Sequence, residues 1–231
     1  MATISAVGFG CEVGLRVEQT HLDAIRPLLP YWWVDADVAP AHVWDVPSPA
    51  GAEVVIGELE LWVAEHAVGL VFVHAGVVAR DGRALLLPGR SFSGKSALTA
   101  ALLEAGAEYG SDEYAVLDAF GRVRAYPRTL SIRDEFTRRR VSAAEYGATV
   151  ISAPLPVAAI AALTFQADAV YEPHAITPAT AVLRLLDNTV CAMSRPDDAL
   201  TAAVAAARDA TAIEGARGDA AIAAEQLLAL L

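Results

Sequence analysis

The sequence predicts an α/β fold, a mixed sheet carrying helices with a small N-terminal lobe in front, divided into residues 1–57 and 58–231. Three observations carry that expectation. Gly89-Arg90-Ser91-Phe92-Ser93-Gly94-Lys95-Ser96 is a complete G-x-x-x-x-G-K-S loop, whose backbone N–H groups and following helix N-terminus cradle phosphate oxygens. The loop has the flanks that this motif needs. Residues 84–88 form an apolar strand, and residues 96–105 put Leu98, Ala101, Leu102 and Ala105 on one helical face before Gly106 ends the helix. Third, residues 77–87 are two apolar runs around Asp81-Gly82, a hairpin signal that makes the strand entering the loop antiparallel to its predecessor.

The other elements follow in order. Residues 4–9 and 12–17 read as strands, and 21–29 as a short helix closed by Pro30. Residues 31–52, rich in Pro and Asp, read as a loop-rich connection, in which Trp32, Trp33 and Trp44 are either a ligand platform or lobe packing. A helix over 58–67 precedes an apolar strand over 68–73 and then His74. Beyond the loop helix, residues 107–110 lead into Ser111-Asp112-Glu113, a strand over 114–117, a turn at 118–121 and another strand through Tyr126. Residues 147–167 carry no charge and are long enough to span a bilayer, but Pro154 and Pro156 interrupt them, which predicts a buried strand and loop. A strand over 213–217 leads into an amphipathic helix over 220–231.

Composition narrows the function classes. The net charge of −11 argues against a general nucleic-acid or anionic-membrane surface. The N-terminus lacks a basic segment followed by an apolar core, and Cys11 and Cys191 are too few for a disulfide framework, so a reducing cytoplasm is the expected setting. Lys95 is the single lysine, whereas sixteen arginines carry the remaining positive charge. A lysine ammonium is a mobile point charge that can follow phosphates, a task the planar arginine fork performs less well. With that lysine inside the loop, none is left for the Asn-Lys-x-Asp element that reads guanine, which favours adenine or promiscuous nucleotide use.

The series Val73-His74-Ala75-Gly76, the hairpin, the Gly94-Lys95-Ser96 loop end, Gly110-Ser111-Asp112-Glu113 and Tyr126-Pro127-Arg128 resembles the catalytic domain of HPr kinase/phosphorylase and its smaller relatives. The resemblance covers about residues 60–135. It implies a P-loop kinase fold related to phosphoenolpyruvate carboxykinase rather than to small GTPases, and an enzyme that phosphorylates a serine of a protein or peptide. Two departures bear on the substrate. The family's usual Asp-Asp pair is Asp112-Glu113 here, and the chain leaves no room for the separate N-terminal domain of the full-length HPr enzyme, which puts HPr itself in doubt. Small relatives phosphorylate precursor peptides, and others look like small-molecule kinases.

Phosphoryl transfer needs a phosphate cradle, a metal, a group that orients or deprotonates the acceptor, and nearby positive charge. Residues 89–97, from Gly89 through Arg90, Ser91, Phe92, Ser93, Gly94, Lys95 and Ser96 to Ala97, form the ATP cradle. Asp112 accepts or positions the acceptor's proton, and Ser96, Glu113 and Asp112 are the oxygen ligands for Mg²⁺. Asp112-Glu113 is otherwise a solvated turn. His74 and Arg128 match family positions: His74 contacts phosphate or Asp112, or is a core histidine, and Arg128 stabilises γ-phosphate charge or pairs with a carboxylate. Arg138-Arg139-Arg140 reads as a solvated face, with docking of an acidic peptide or polyphosphate as the other reading, and Arg217 is a weaker site candidate. Three classes stay open: a peptide or protein serine kinase, a kinase of a small hydroxylated metabolite, and a non-catalytic nucleotide-binding module. Self-association is left open too.

Overall fold

The computed structural model describes residues 1–89, 93–133 and 138–231, the side chains of residues 133 and 138 excepted. The chain forms two units, Met1–Leu70 and Val71–Leu231. In the first, β1 (Ala2–Gly8) and β2 (Cys11–Val17) make an antiparallel hairpin. Phe9 and Gly10 turn it with φ of 52° and 83°, the double positive φ that matches strand twist. The helix expected over 21–29 is reduced to α1 (Leu22–Ile25) between two 3₁₀ turns. Pro27 contributes to this, because it has no N–H for the helical ladder. A strand absent from the sequence reading, β3 (His42–Val46), lies parallel to β2 inside the expected loop. α2 (Ala52–His66) buries Ile56, Leu59 and Val63 with Val13, Leu15 and Val17. Position 57 therefore lies inside a helix whose whole length belongs to the first unit. Trp32, Trp33 and Trp44 pack against this core, with Trp44 and Trp62 edge to face at 5.7 Å.

The second unit is an α/β structure on a mixed sheet. β4 (Leu70–Arg80) and β5 (Arg83–Pro88) form the hairpin around Asp81 and Gly82, at φ of 52° and 73°. β4 is one strand that runs from the expected strand through His74 into the hairpin. After β5 come α3 (Lys95–Glu104), β6 (Glu108–Ser111), β7 (Tyr114–Asp118), β8 (Arg122–Arg124), and the hairpin of β9 (Leu130–Arg133) with β10 (Arg138–Val141). The charge-free stretch becomes β11 (Leu155–Phe165), followed by β12 (His174–Ala175), α4 (Pro178–Leu186), α5 (Pro196–Ala207), β13 (Thr211–Arg217) and α6 (Ala220–Leu228). Sheet order is β12-β13-β11-β5-β4-β7-β8, with β6 on β4, and β8 also pairs with β11. β5, β11 and β13 run parallel, and β4 runs against β5.

Helices cover both faces. Leu85 and Leu87 of β5 pack with Leu98 and Leu102 of α3 and Leu227 of α6, while Ala84 and Leu86 pack with Leu185 of α4 and Ala203 of α5. β11 alternates in the same way, Ala159, Ala161 and Leu163 to one side and Ile160 to the other. Burial on both faces is what makes 157–163, the middle of β11, apolar throughout. Among the described residues no helix is long and apolar enough to cross a membrane.

Candidate active site

The loop starts where β5 ends. Gly89 N–H donates to the carbonyl of His74 on β4 at 3.1 Å, so the paired hairpin fixes the position from which the loop springs. Gly94, at φ 84°, is the N-cap of α3. An L side chain resists that φ, and a Cβ there would also lie 2.5 Å from Arg217 Nη2. Lys95 opens the helix, and its Nζ reaches back to donate to the Gly89 carbonyl at 2.6 Å. Burial pushes the Lys95 ammonium below the usual lysine range, against the attraction of Glu113 and Asp112. First-turn amides have no partner within a helix, so residues 95–97 offer N–H groups at the positive end of α3. Arg90, Ser91 and Phe92 lie outside the described residues.

The acidic pair is brought to the loop by the turn between β6 and β7. Ser111 Oγ accepts from the N–H groups of Glu113 and Tyr114 at 3.0 and 2.9 Å, which closes the turn. Asp112 is 7% exposed, so it is not a solvated turn residue. Its Oδ2 accepts from Ser96 Oγ–H at 3.0 Å and from Ser131 N–H at 3.4 Å. Its Oδ1 lies 3.3 Å from the Tyr109 hydroxyl, which also donates to the Arg128 carbonyl at 2.9 Å. Burial pushes the Asp112 carboxyl above the usual aspartate range, and the Ser96 hydrogen bond only partly opposes this. Glu113 moves the other way, held below its usual range mainly by the His74 imidazole. His74 Nδ1 is 3.7 Å from Glu113 Oε1, a polar neighbour rather than a close hydrogen bond. The same ring leans on Tyr114 at 4.8 Å. The main chain joins these groups, since Ala75 N–H donates to the Glu113 carbonyl at 3.1 Å.

Lys95, Ser96, Asp112, Glu113 and His74 are thus gathered around one loop. Arg128 stands at the edge, exposed, with its positive charge favouring the ionised forms of both Asp112 and Glu113. Arg139 and Arg140 are exposed on β10, paired through the backbone with β9. Two contributors escaped the sequence reading or were underweighted by it. Tyr109, a buried strand residue three positions before Asp112, offered no signal beyond its spacing. Arg217, 2% exposed at the end of β13, donates to the Gly94 carbonyl at 2.6 Å and the Gly218 carbonyl at 3.2 Å. Its guanidinium sits 5.4 Å from the centre of the Phe165 ring, and burial lowers its pKa.

Ser96 and Glu113 bring hydroxyl and carboxylate oxygens to the loop, the ligand class that Mg²⁺ takes, while the 3.0 Å between Ser96 Oγ and Asp112 Oδ2 is that of their hydrogen bond. Among the described residues no three His, Cys, Asp or Glu side chains are grouped to hold a metal by themselves. Mg²⁺ ordinarily completes its shell with water and substrate phosphate. Neither the protein-family models nor the curated proteins contain a match to this chain.

Proposed function

We propose that the chain is an ATP- and Mg²⁺-dependent phosphotransferase of the HPr kinase and phosphoenolpyruvate carboxykinase type. It moves the γ-phosphoryl group to a hydroxyl, that of a serine in a peptide or protein. The observation that carries this reading is the Ser96–Asp112 contact: it ties the buried acid directly to the residue following the loop lysine. In this reading the loop amides and Lys95 hold the polyphosphate, and Ser96 and Glu113 hold the ion, directly or through water. Bound Mg²⁺ would neutralise phosphate charge and orient the β- and γ-oxygens.

The acceptor oxygen bonds to the γ-phosphorus as the bond from that phosphorus to the β,γ-bridging oxygen breaks, and ADP leaves with the electron pair. Asp112 takes the hydroxyl proton, a role favoured by a carboxyl whose pKa is raised towards neutrality. Arg128, at the rim, supplies charge to the transferred group, and His74 keeps Glu113 ionised. A serine acceptor is what the family resemblance supports. Labelled ATP offered with candidate serine peptides and, in parallel, hydroxylated metabolites tests it: peptide labelling is expected, and labelling of a free metabolite alone would overturn the peptide assignment.

A further inference from the structure

We propose that the crevice on the other flank of the loop receives the nucleoside half of the nucleotide; this rests on the nucleotide reading above. A cavity of about 630 Å³ opens beside Gly89 and Ser93 and is walled by Gln166, Arg184, Asn188 and Glu214. Ligand pockets for molecules of nucleoside size fall at about 300–1,000 Å³. The crevice lies at the carboxyl ends of the parallel strands β5, β11 and β13, with Pro88, Thr164 and Ala216 on its wall. Open α/β sheets bind ligands outside the carboxyl ends of their strands.

Sheet order decides which end of the nucleotide goes there. β5 has β4 on one side, with β6 and β7 beyond it, and β11 and β13 on the other. Asp112 and Glu113 follow β6, so the groups assigned to transfer stand on the β4 flank. A triphosphate held along the loop with its γ-end at that flank must send its nucleoside towards β11 and β13.

The wall chemistry agrees. Arg184 is spent on Glu214, both Nε and Nη2 lying 2.9 Å from Oε2, and Asp187 is 3.9 Å away. His174 Nε2 is 3.3 Å from the other Glu214 oxygen. One arginine against two carboxylates does not attract phosphate; it favours neutral hydrogen-bond donors such as a ribose diol and an exocyclic amine. Glu214, fixed by Arg184 and His174, is the diol acceptor. Asn188 Nδ2 donates to the Arg184 carbonyl at 2.8 Å, while Asn188 Oδ1 and Ser93 Oγ are buried without a hydrogen-bond partner. The Asn188 main-chain carbonyl accepts from His74 N–H at 2.8 Å, linking the crevice wall to the strand beneath the acidic pair.

The test titrates wild type, Glu214→Gln and Thr164→Trp with ATP, ADP, adenosine and inorganic tripolyphosphate, each with Mg²⁺. Thr164 is exposed at the rim, so the tryptophan fills the crevice without disturbing the core and serves even where Glu214→Gln folds poorly. Both variants should weaken ATP and ADP about tenfold or more, and adenosine likewise, while tripolyphosphate changes by less than about twofold. Equal losses for ATP and tripolyphosphate, or no loss for either, overturn the crevice assignment and leave the loop reading intact. A raised KM for the phosphate acceptor with unchanged ATP affinity assigns the crevice to the acceptor instead, which also overturns it. Wild type that binds neither ATP nor tripolyphosphate overturns the loop reading, and this inference with it.

Discussion

Gly94→Ala probes the joint on which the phosphate loop turns. Alanine at a φ of 84° costs roughly 1–2 kcal/mol. Its Cβ would sit 2.5 Å from Arg217 Nη2, so the guanidinium must leave the Gly94 carbonyl. A hydrogen bond to a charged group is worth about 1.5–3 kcal/mol, and the two losses together come to about 2.5–5 kcal/mol. All four tryptophans, Trp32, Trp33, Trp44 and Trp62, lie in the Met1–Leu70 unit. Tryptophan fluorescence therefore reports the first unit, whereas far-ultraviolet circular dichroism in urea also reads the second, where α3, α4, α5 and α6 lie. Gly94→Ala should lower the midpoint of the dichroism transition. Arg217→Met supplies the control: with the arginine gone, Gly94→Ala should cost about 1.5–3 kcal/mol less than in wild type. Additivity of the two substitutions within about 0.5 kcal/mol would refute the claim that Arg217 holds the loop through Gly94.

Asp112→Asn should keep ATP affinity within a few-fold and lower single-turnover transfer by about 10²-fold or more; full transfer in that variant would make Asp112 a structural residue. The pH profile of kcat/KM should be bell-shaped. Transfer is lost as pH falls through the raised Asp112 pKa, so the acid limb lies above the usual aspartate range, and it is lost as pH rises through the lowered Lys95 pKa, so the alkaline limb lies below the usual lysine range. Limbs at the ordinary values would refute the assignment to these two buried groups. Leu102→Ala, in the packed face of α3, should destabilise the second unit by about 2–5 kcal/mol in the same dichroism experiment; a loss below 1 kcal/mol would show that this face is not core.

Much of the architecture was legible because local chemistry and tertiary context agree. Asp81-Gly82 forms the turn that its two positive φ values require, and the loop lies between strand and helix as the spacing of Leu98 and Leu102 implies. What escaped was decided by distant residues or by weak patterns. β3 exists because β2 offers it an edge, a partner some thirty residues earlier in the chain. α4 and α5 are different, since Thr177 capping the Thr180 N–H and prolines at the first helical positions were readable start signals. The alanine-rich sequence of α5 muted the apolar periodicity that draws attention to a helix. In the site, Lys95 and Ser96 belong to a motif of fixed spacing, while Asp112 was legible as half of an acidic pair at a strand end and through the family resemblance. Arg217 stands 123 positions from Gly94, and only the parallel packing of β13 on β11 and β11 on β5 brings it beneath the loop.

Single-turnover transfer from γ-labelled ATP in the presence of Mg²⁺, comparing wild type with Lys95→Ala, tests the central claim most directly. The account predicts label moving from ATP to an acceptor hydroxyl in wild type, and both ATP affinity and transfer collapsing in the variant. A Lys95→Ala protein that binds ATP and transfers the γ-phosphoryl group as well as wild type would contradict it.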